Sequence, residues 1–539
     1  MSLLKNIQIG VIKVGIWMKE HVGSTIITTA IVTLLVTVLG NLIANMISSK
    51  KQLPKEIIEH CVFFAADNIQ GLCLTEEVPT LEYFVENKSD KWDSLKTKQV
   101  FFGGEYGRLY IRGKSETGTN GARIRFDTEN VLVHCGGDIR TLVDYKHYYN
   151  VSTKSAIFKS LFENCTQLVS APKLPSKKLA DFCYSSMFFG CTALSIAPEL
   201  PADSLSESCY SSMFEGCASL KMAPTLHSEN LSKRCYSNMF KDCTSLKESP
   251  KLPATNMEEF CYNGMFFGCT SLTRAPDSLA DNLAGSCFSY MFYGCKSLID
   301  APVLPATNMK TNCYSNMFEG CDSLKKAPEL PSMSLAGGCY FRMFKDCTSL
   351  IQAPNLRAES LYNSCYKEMF NGCTSLIKAP ELPSMKIEGD CYARMFKGCT
   401  LMEIAPILPA EKLDDNCYSE MFEDCISLIK APELPSTKIA VRCYSRMFKG
   451  CESLIQAPDL QADSLFGSCY FEMFEGCTSL SEIKLLSTKI NGNPCSKWLE
   501  NTLPYGIFYK NKQAQWENDE IIPPGWTVKQ ITPRNRRIE

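Results

Sequence analysis

The sequence predicts a repeat solenoid of short strands and short helical turns, fronted by a β-rich module and, ahead of that, one membrane-crossing α-helix. Three observations carry this prediction. A 26-residue unit ending in C-Y-x-x-M-F-x-G-C recurs from Cys165 to Cys495, the stretch from Val22 to Ser49 holds no charged residue, and short alternating apolar runs fill Gln52 to Asn150. A fixed period of this length signals coils that each cover the apolar face of the next.

Residues 1–21 place Leu4, Ile7, Val11, Val14 and Met18 on one helical face, interrupted by Lys5, Lys13 and Lys19. That pattern fits an amphipathic helix lying in a membrane interface, or an extension packed on the protein's own surface. Residues 22–49 exceed the roughly 20 needed to cross a bilayer, so a lipid bilayer is an expected partner and a single-pass membrane location is implied. Lys50, Lys51 and Lys55 balance the lysines ahead of the span. Charge bias therefore leaves the side of the solenoid open, cell surface or cytoplasm. Thr25, Thr29, Thr33, Thr37, Asn41 and Asn45 recur every fourth residue as a polar stripe. Such groups return to their own backbone, bond a second copy of the helix, or line a wet cavity.

Residues 50–150 read as a linker and β-rich capping module. Val100 to Phe102, Arg108 to Ile111 and Ala122 to Phe126 are strand-like, and Gly103-Gly104 and the segment Gly113 to Gly121 separate them. Residues 151–495 are the solenoid. In the coil from Cys217 to Cys243, Leu220, Ala223 and Leu226 advance by threes, whereas Leu231, Cys235, Met239 and Cys243 advance by fours. An extended segment followed by a helical turn or two is expected, with Tyr236, Met239 and Phe240 in the core. Pro224 and its equivalents from Pro172 to Pro458 keep each coil from becoming one long helix. Residues 496–539 abandon the repeat with Trp498, Leu503, Phe508, Trp516 and Trp526 around Pro523-Pro524-Gly525, as a terminal cap does, and close on a basic tail, Arg534 to Arg537.

Of 29 cysteines, all but Cys61, Cys73 and Cys135 fall into two columns, one running from Cys165 to Cys477 and the other from Cys183 to Cys469 and Cys495. Side chains that point the same way in successive coils suit buried reduced thiols better than disulfides, which need opposed Cβ vectors. Zinc sites favour closer cysteine pairs or added histidines, and four of the five histidines lie outside the array. No metal and no cofactor is expected. A formal charge of −2 gives no bias toward nucleic acid. No nucleophile, phosphate-loop or metalloprotease motif is present, so no enzyme is expected.

The unit C-x-S-L-x-x-A-P-x-L-P-A-x-x-L-x-x-x-C-Y-x-x-M-F-x-G-C resembles the BspA-like leucine-rich repeat proteins of bacteria. The resemblance covers roughly residues 80–530, including Asp90 to Leu95, Leu109 to Gly113, Cys135 to Tyr145 and Pro524 to Val528. It implies a leucine-rich-repeat-like α/β solenoid and, since members are often cell-surface binding or adhesion proteins, a protein or glycan ligand. The uncharged span at residues 22–49 stands where an evident export signal would.

Variable positions carry the functional information, because the invariant ones build the core. The residue before the methionine alternates in sign through Arg342, Glu368, Arg394, Glu420, Arg446 and Glu472. Stacked coils would make these a charge ladder that fixes register. Earlier coils break the pattern with Phe189, Phe267, Tyr290 and Tyr293, a candidate ligand-binding patch. Two functions fit these features: a membrane-anchored recognition protein of the surface-adhesion type, or an intracellular sensor of bacterial defence whose helix oligomerises to perturb the membrane.

Overall fold

The computed structural model describes residues 58–119, 121–517 and 521–532. The expected amphipathic segment, the expected membrane span with its polar stripe, and the basic tail lie outside the described residues. Among those described, no helix is long and apolar enough to cross a membrane. The N-terminal module, the coils and the carboxyl-terminal cap all belong to the compact unit that begins at His60.

Two small sheets form the N-terminal module. Its strands are β1 Val62–Ala65, β2 Gln70–Leu74, β3 Leu81–Val85, β4 Asp93–Ser94, β5 Val100–Phe102, β6 Leu109–Gly113, β7 Ile124–Phe126 and β8 Val133–Gly136. One sheet has the order β4-β3-β6-β1-β8 and continues into the first coil through β9, Leu168–Ser170; the other is β5-β2-β7. Every pairing inside the module is antiparallel, whereas β8 meets β9 in parallel. The module thus passes its sheet directly to the repeat array.

Each coil contributes very little strand. Many successive coils touch at single parallel bridges, as in the run Lys326, Gln352, Lys378, Ile404, Lys430 and Gln456. Longer pairings occur at β10 Ser360–Leu361 with β11 Lys386–Ile387, and at β13 Ser464–Leu465 with β15 Lys489–Ile490. Near the carboxyl end β12 Gln456–Leu460, β14 Glu482–Leu485, β16 Gly506–Asn511 and β17 Trp526–Ile531 form a four-stranded parallel sheet in that order.

The expected helical turns take a different form. In the coil ending at Cys243, Ser237, Met239, Lys241 and Cys243 each donate their N–H to the carbonyl three residues back, at 3.1–3.2 Å. The residues between them turn their N–H outward. Tyr236, Asn238, Phe240 and Asp242 donate to the carbonyls of Cys261, Asn263, Met265 and Phe267 in the next coil, at 2.7–3.0 Å. Arg234, Asn238 and Asp242 are left-handed, with φ of 55°, 55° and 58°. The segment is therefore a chain of overlapping β-turns with a left-handed residue at every fourth position. A helix would turn every N–H back into its own coil and leave nothing to join the coils.

Inside this ladder the invariant residues stack on their own copies. Tyr236 and Tyr262 lie with ring centroids 5.6 Å apart, and Phe240 and Phe266 lie 5.7 Å apart, both pairs within 7° of parallel. The thiol of Cys269 donates to the carbonyl of Phe240 at 3.0 Å, and that same oxygen accepts the N–H of Cys243. The pattern recurs from Cys191 on Phe162 to Cys477 on Phe448. Cysteine suits this column because it is small, packs as an apolar group and still carries a donor. All 29 cysteines are free thiols, buried except for the half-buried Cys73. Burial pushes the thiols of Cys165 and Cys477 up to about 12, so they are poor nucleophiles.

Both ends of the ladder are closed by specific contacts. At the first coil the carbonyls of Ile157, Leu161 and Glu163 accept from Thr119 N, Ile124 N and Arg125 Nη1 of the module, and Phe64 meets Phe162 at 6.3 Å. At the other end Trp498 lies 6.2 Å from Tyr470 and 6.1 Å from Phe474, ending both aromatic columns with one ring system. The last coil is one residue short. Tyr470 donates to Pro494, where earlier tyrosines donate to a column cysteine. Cys495 consequently occupies the tyrosine position, and the second cysteine column ends at Cys469.

Left-handed glycines mark where neighbouring coils press closest. Gly372 has φ of 76°, and a Cβ there would collide with the Asp346 carboxylate of the preceding coil. Gly372→Ala is expected to lower stability by at least about 1 kcal/mol, the cost of a left-handed residue with a side chain. Adding Asp346→Gly should recover part of that loss. Urea unfolding of the two single variants and the double variant measures the coupling.

Candidate functional site

The turn ladder points cysteine, tyrosine, methionine and phenylalanine inward, and its intervening positions form one continuous outward face. Four columns supply it: the residue before the first cysteine, the residue after the tyrosine, the residue before the methionine, and the residue after the phenylalanine. Tyr290, Arg342, Glu368, Arg394, Glu420, Arg446 and Glu472 all lie in the column before the methionine, with φ between 52° and 58°. Their left-handed backbone is imposed by the ladder.

The alternating charges meet across coils. Arg342 binds Glu368 through Nε and Nη2 at 2.8 and 3.1 Å, and Arg394 binds Glu420 through the same two atoms at 2.7 Å each. Arg446 Nε lies 2.8 Å from Glu472. In the next column Lys397 reaches Glu423 at 3.0 Å and Lys449 reaches Glu475 at 2.8 Å. Burial works to raise the pKa of Glu420, but the bonds from Arg394 and Glu423 together with the Arg394 and Lys397 charges bring it down to about 2. For Glu472 burial is again outweighed, here by bonds from Lys449, Arg446 and Glu475, with the same result of about 2.

Three of the four aromatic candidates come together. Phe267 and Tyr293 stack 4.4 Å apart within 6° of parallel, Tyr290 lies 6.1 Å from Tyr293 at 48°, and Lys241 Nζ sits 5.4 Å from the Phe267 centroid. Tyr290 is 39% exposed. Phe189 occupies the same column as Phe267 three coils earlier, half-buried and away from the cluster. The coil that carries Tyr290 and Tyr293 is also the irregular one. It reads Asp277-Ser278-Leu279-Ala280 where most coils have x-L-P followed by alanine or serine, it makes a bridge of shifted register, Ser278–Val303, beside the regular Arg274–Asp300, and Phe288 stands in the tyrosine column.

Sequence reasoning missed a groove of about 530 Å³ on this face, lined among others by Asp390, Arg394, Asn416, Arg442, Ser468 and Phe471. Asp390, Asn416, Arg442 and Ser468 are successive members of the column before the first cysteine. That column varies as freely as the others, and the same comparison of variable positions would have found it. Among the described residues no group of three or more His, Cys, Asp and Glu is placed to hold a metal ion.

The family described as BspA type leucine rich repeat region (6 copies) matches residues 149–273, 233–377, 286–422 and 392–497. No curated protein matches the chain.

The rungs set a pH dependence. A carboxylate whose pKa is lowered on folding stabilises the fold above its unfolded value, about 4.3, and that stability is lost as pH falls toward the folded value near 2. Glu420→Gln is expected to cost about 1 kcal/mol at neutral pH. The difference from the parent should shrink below about pH 4 and vanish near pH 2. Denaturant titrations at several pH values check both the size and the direction.

Proposed function

Because the chain belongs to the BspA-type leucine-rich repeat proteins, we propose that it is a membrane-anchored recognition protein, and not an enzyme, whose turn-ladder face binds a protein or glycan in surface adhesion. The observation that carries this reading is the division of labour within each coil. The inward positions repeat almost without change, while the outward columns exchange charge, amide, hydroxyl and aromatic groups from coil to coil. Long repeat arrays offer extended surfaces of this kind. The cluster of Phe267, Tyr290 and Tyr293 supports a contact point on that face, since partly exposed aromatic residues dominate binding energy at interfaces. The charge ladder meets its own partners across coils and so contributes framework more than recognition. The uncharged stretch from Val22 to Ser49 supports the anchor.

One observation favours the second reading, in which the solenoid senses a molecule inside the cell and the helix acts on the membrane: the free thiols throughout the array suit a reducing compartment. A topology measurement separates the two. An enzyme reporter active only outside the cytoplasm, fused after Glu539, is expected to be active. A silent reporter, with a cytoplasmic fluorescent fusion bright instead, would replace adhesion by the sensor reading.

On the adhesion reading, cells displaying the Tyr290→Ala, Tyr293→Ala double variant should attach to immobilised host glycans or matrix proteins at least about tenfold less well than cells with the parent chain, as expected for an interface hot spot. Thermal unfolding of the variant should stay close to that of the parent, because both rings lie on the outward face.

A further inference from the structure

The groove on the carboxyl-terminal half of the turn-ladder face holds polar groups that the fold does not use. Asp390 meets Lys367 at 3.5 Å, Arg394 is bound to Glu420, and Arg446 is bound to Glu472. Arg442 also lines the groove, is exposed, and makes no ion pair among the described residues. On either side of it, one coil before and one coil after, stand Asn416 and Ser468. Their side chains make no hydrogen bond among the described residues. Phe471 closes the groove with a half-buried ring, one side of which is taken by Arg446 at 5.3 Å from the ring centroid. The result is a row of three unclaimed groups, an amide, a guanidinium and a hydroxyl, one per coil, beside an aromatic ring.

Spacing and chemistry together select the ligand. Adjacent coils repeat at 5.6 Å here, measured between the Phe422 and Phe448 rings, which is close to the length of one pyranose unit in an extended glycan. A peptide strand presents same-face side chains every two residues, roughly 6.6 Å apart, and falls out of step within a few coils. The three groups donate or accept hydrogen bonds, and apart from Ala393 and Phe471 the groove is lined by polar and charged side chains, unlike the apolar pockets that hold peptide side chains. The one uncompensated charge is a guanidinium, which pairs a carboxylate through two parallel bonds. We propose that Asn416, Arg442, Ser468 and Phe471 form a binding site for an acidic glycan. One sugar carboxylate lies on Arg442, and neighbouring sugar hydroxyls reach Asn416 and Ser468. This rests on the turn-ladder face being the ligand face, and it adds a second contact point to that of Tyr290 and Tyr293.

The test uses the full-length chain in detergent micelles, titrated calorimetrically with oligogalacturonate, hyaluronan fragments and a sialylated oligosaccharide. A neutral galactan oligosaccharide and polyglutamate serve as comparisons. Saturable binding of at least one acidic glycan is expected, weakened tenfold or more by Arg442→Gln, weakened less by Asn416→Ala, and absent with the neutral glycan. Unchanged affinity in Arg442→Gln, or no saturable binding of any acidic glycan, overturns the proposal. Polyglutamate binding as tightly as the glycans also overturns it, in favour of an acidic peptide. Loss of cell attachment in the Tyr290→Ala, Tyr293→Ala variant alongside silent glycan titrations would leave the ligand face intact and remove only this groove assignment.

Discussion

The solenoid depends on one geometric constraint: every second backbone N–H of the turn segment must find a carbonyl in the next coil. Tyr236, Asn238, Phe240 and Asp242 satisfy it together, and the same bonds recur down the array. Once they form, successive coils are held in register and the intervening residues can close only tight turns upon themselves. The left-handed conformation at every fourth position is the local consequence. Its cost is of order 1 kcal/mol per residue with a side chain, and an unpaired buried N–H would cost at least as much.

Register then dictates chemistry on both sides of the backbone. Inward, equivalent residues are forced against one another, so each column must be filled by something that packs on itself. Tyrosine and phenylalanine stack, methionine fills the irregular space beside them, and cysteine supplies a donor to a carbonyl that still has a free lone pair. Outward, the same forced proximity makes like charges in successive coils repel. The strict alternation of Arg342, Glu368, Arg394, Glu420, Arg446 and Glu472 is the sequence that turns this repulsion into attraction. Serine and alanine alternate in step two residues after the repeat leucine, as at Ser332, Ala358, Ser384, Ala410, Ser436 and Ala462. Ser384 and Ser436 donate across to carbonyls near the preceding alanine, at 2.5 and 2.8 Å. A pair of coils, not one coil, is therefore the natural unit in this half of the chain.

Much of this was legible in the residues. The period, the inward set C-Y-x-x-M-F and the strands near Val100, Leu109 and Ile124 could be read directly, because each rests on spacing or on glycine punctuation. The turn ladder could not. Leu231, Cys235, Met239 and Cys243 share a face at intervals of four in a helix and in a chain of β-turns alike, and only the destination of the N–H groups distinguishes the two. Cys495 misled for a related reason: it keeps the 26-residue interval, yet one missing residue in the last coil moves it to the tyrosine position. The groove around Arg442 runs along the column before the first cysteine, whose variation is legible in the residues, but that these side chains enclose a groove depends on the packing of the coils. Among the aromatic candidates, Phe189 was grouped with the others by column alone, while the stack of Phe267 and Tyr293 depends on their being in consecutive coils.

What occupies the left-handed positions separates framework from recognition. Most hold serine, asparagine, aspartate or glycine, and the conformation is least costly for glycine, asparagine and aspartate. Where a larger residue stands, a neighbour usually accounts for it: arginine and glutamate pair across coils, Phe260 lies under Arg234 at 5.0 Å, and Phe182 lies under Lys159 at 5.6 Å. Tyr290 has φ of 58° and is 39% exposed, with no cation beside its ring among the described residues. Gly264 fills the same place one coil earlier, so the fold accepts glycine there without strain. A bulky ring standing where glycine fits, open to solvent and touching the Tyr293 ring, is the pattern expected when the strain serves binding and not folding. On the proposed reading, the irregular coil around Tyr290 is where the face departs from self-complementarity and would meet a partner.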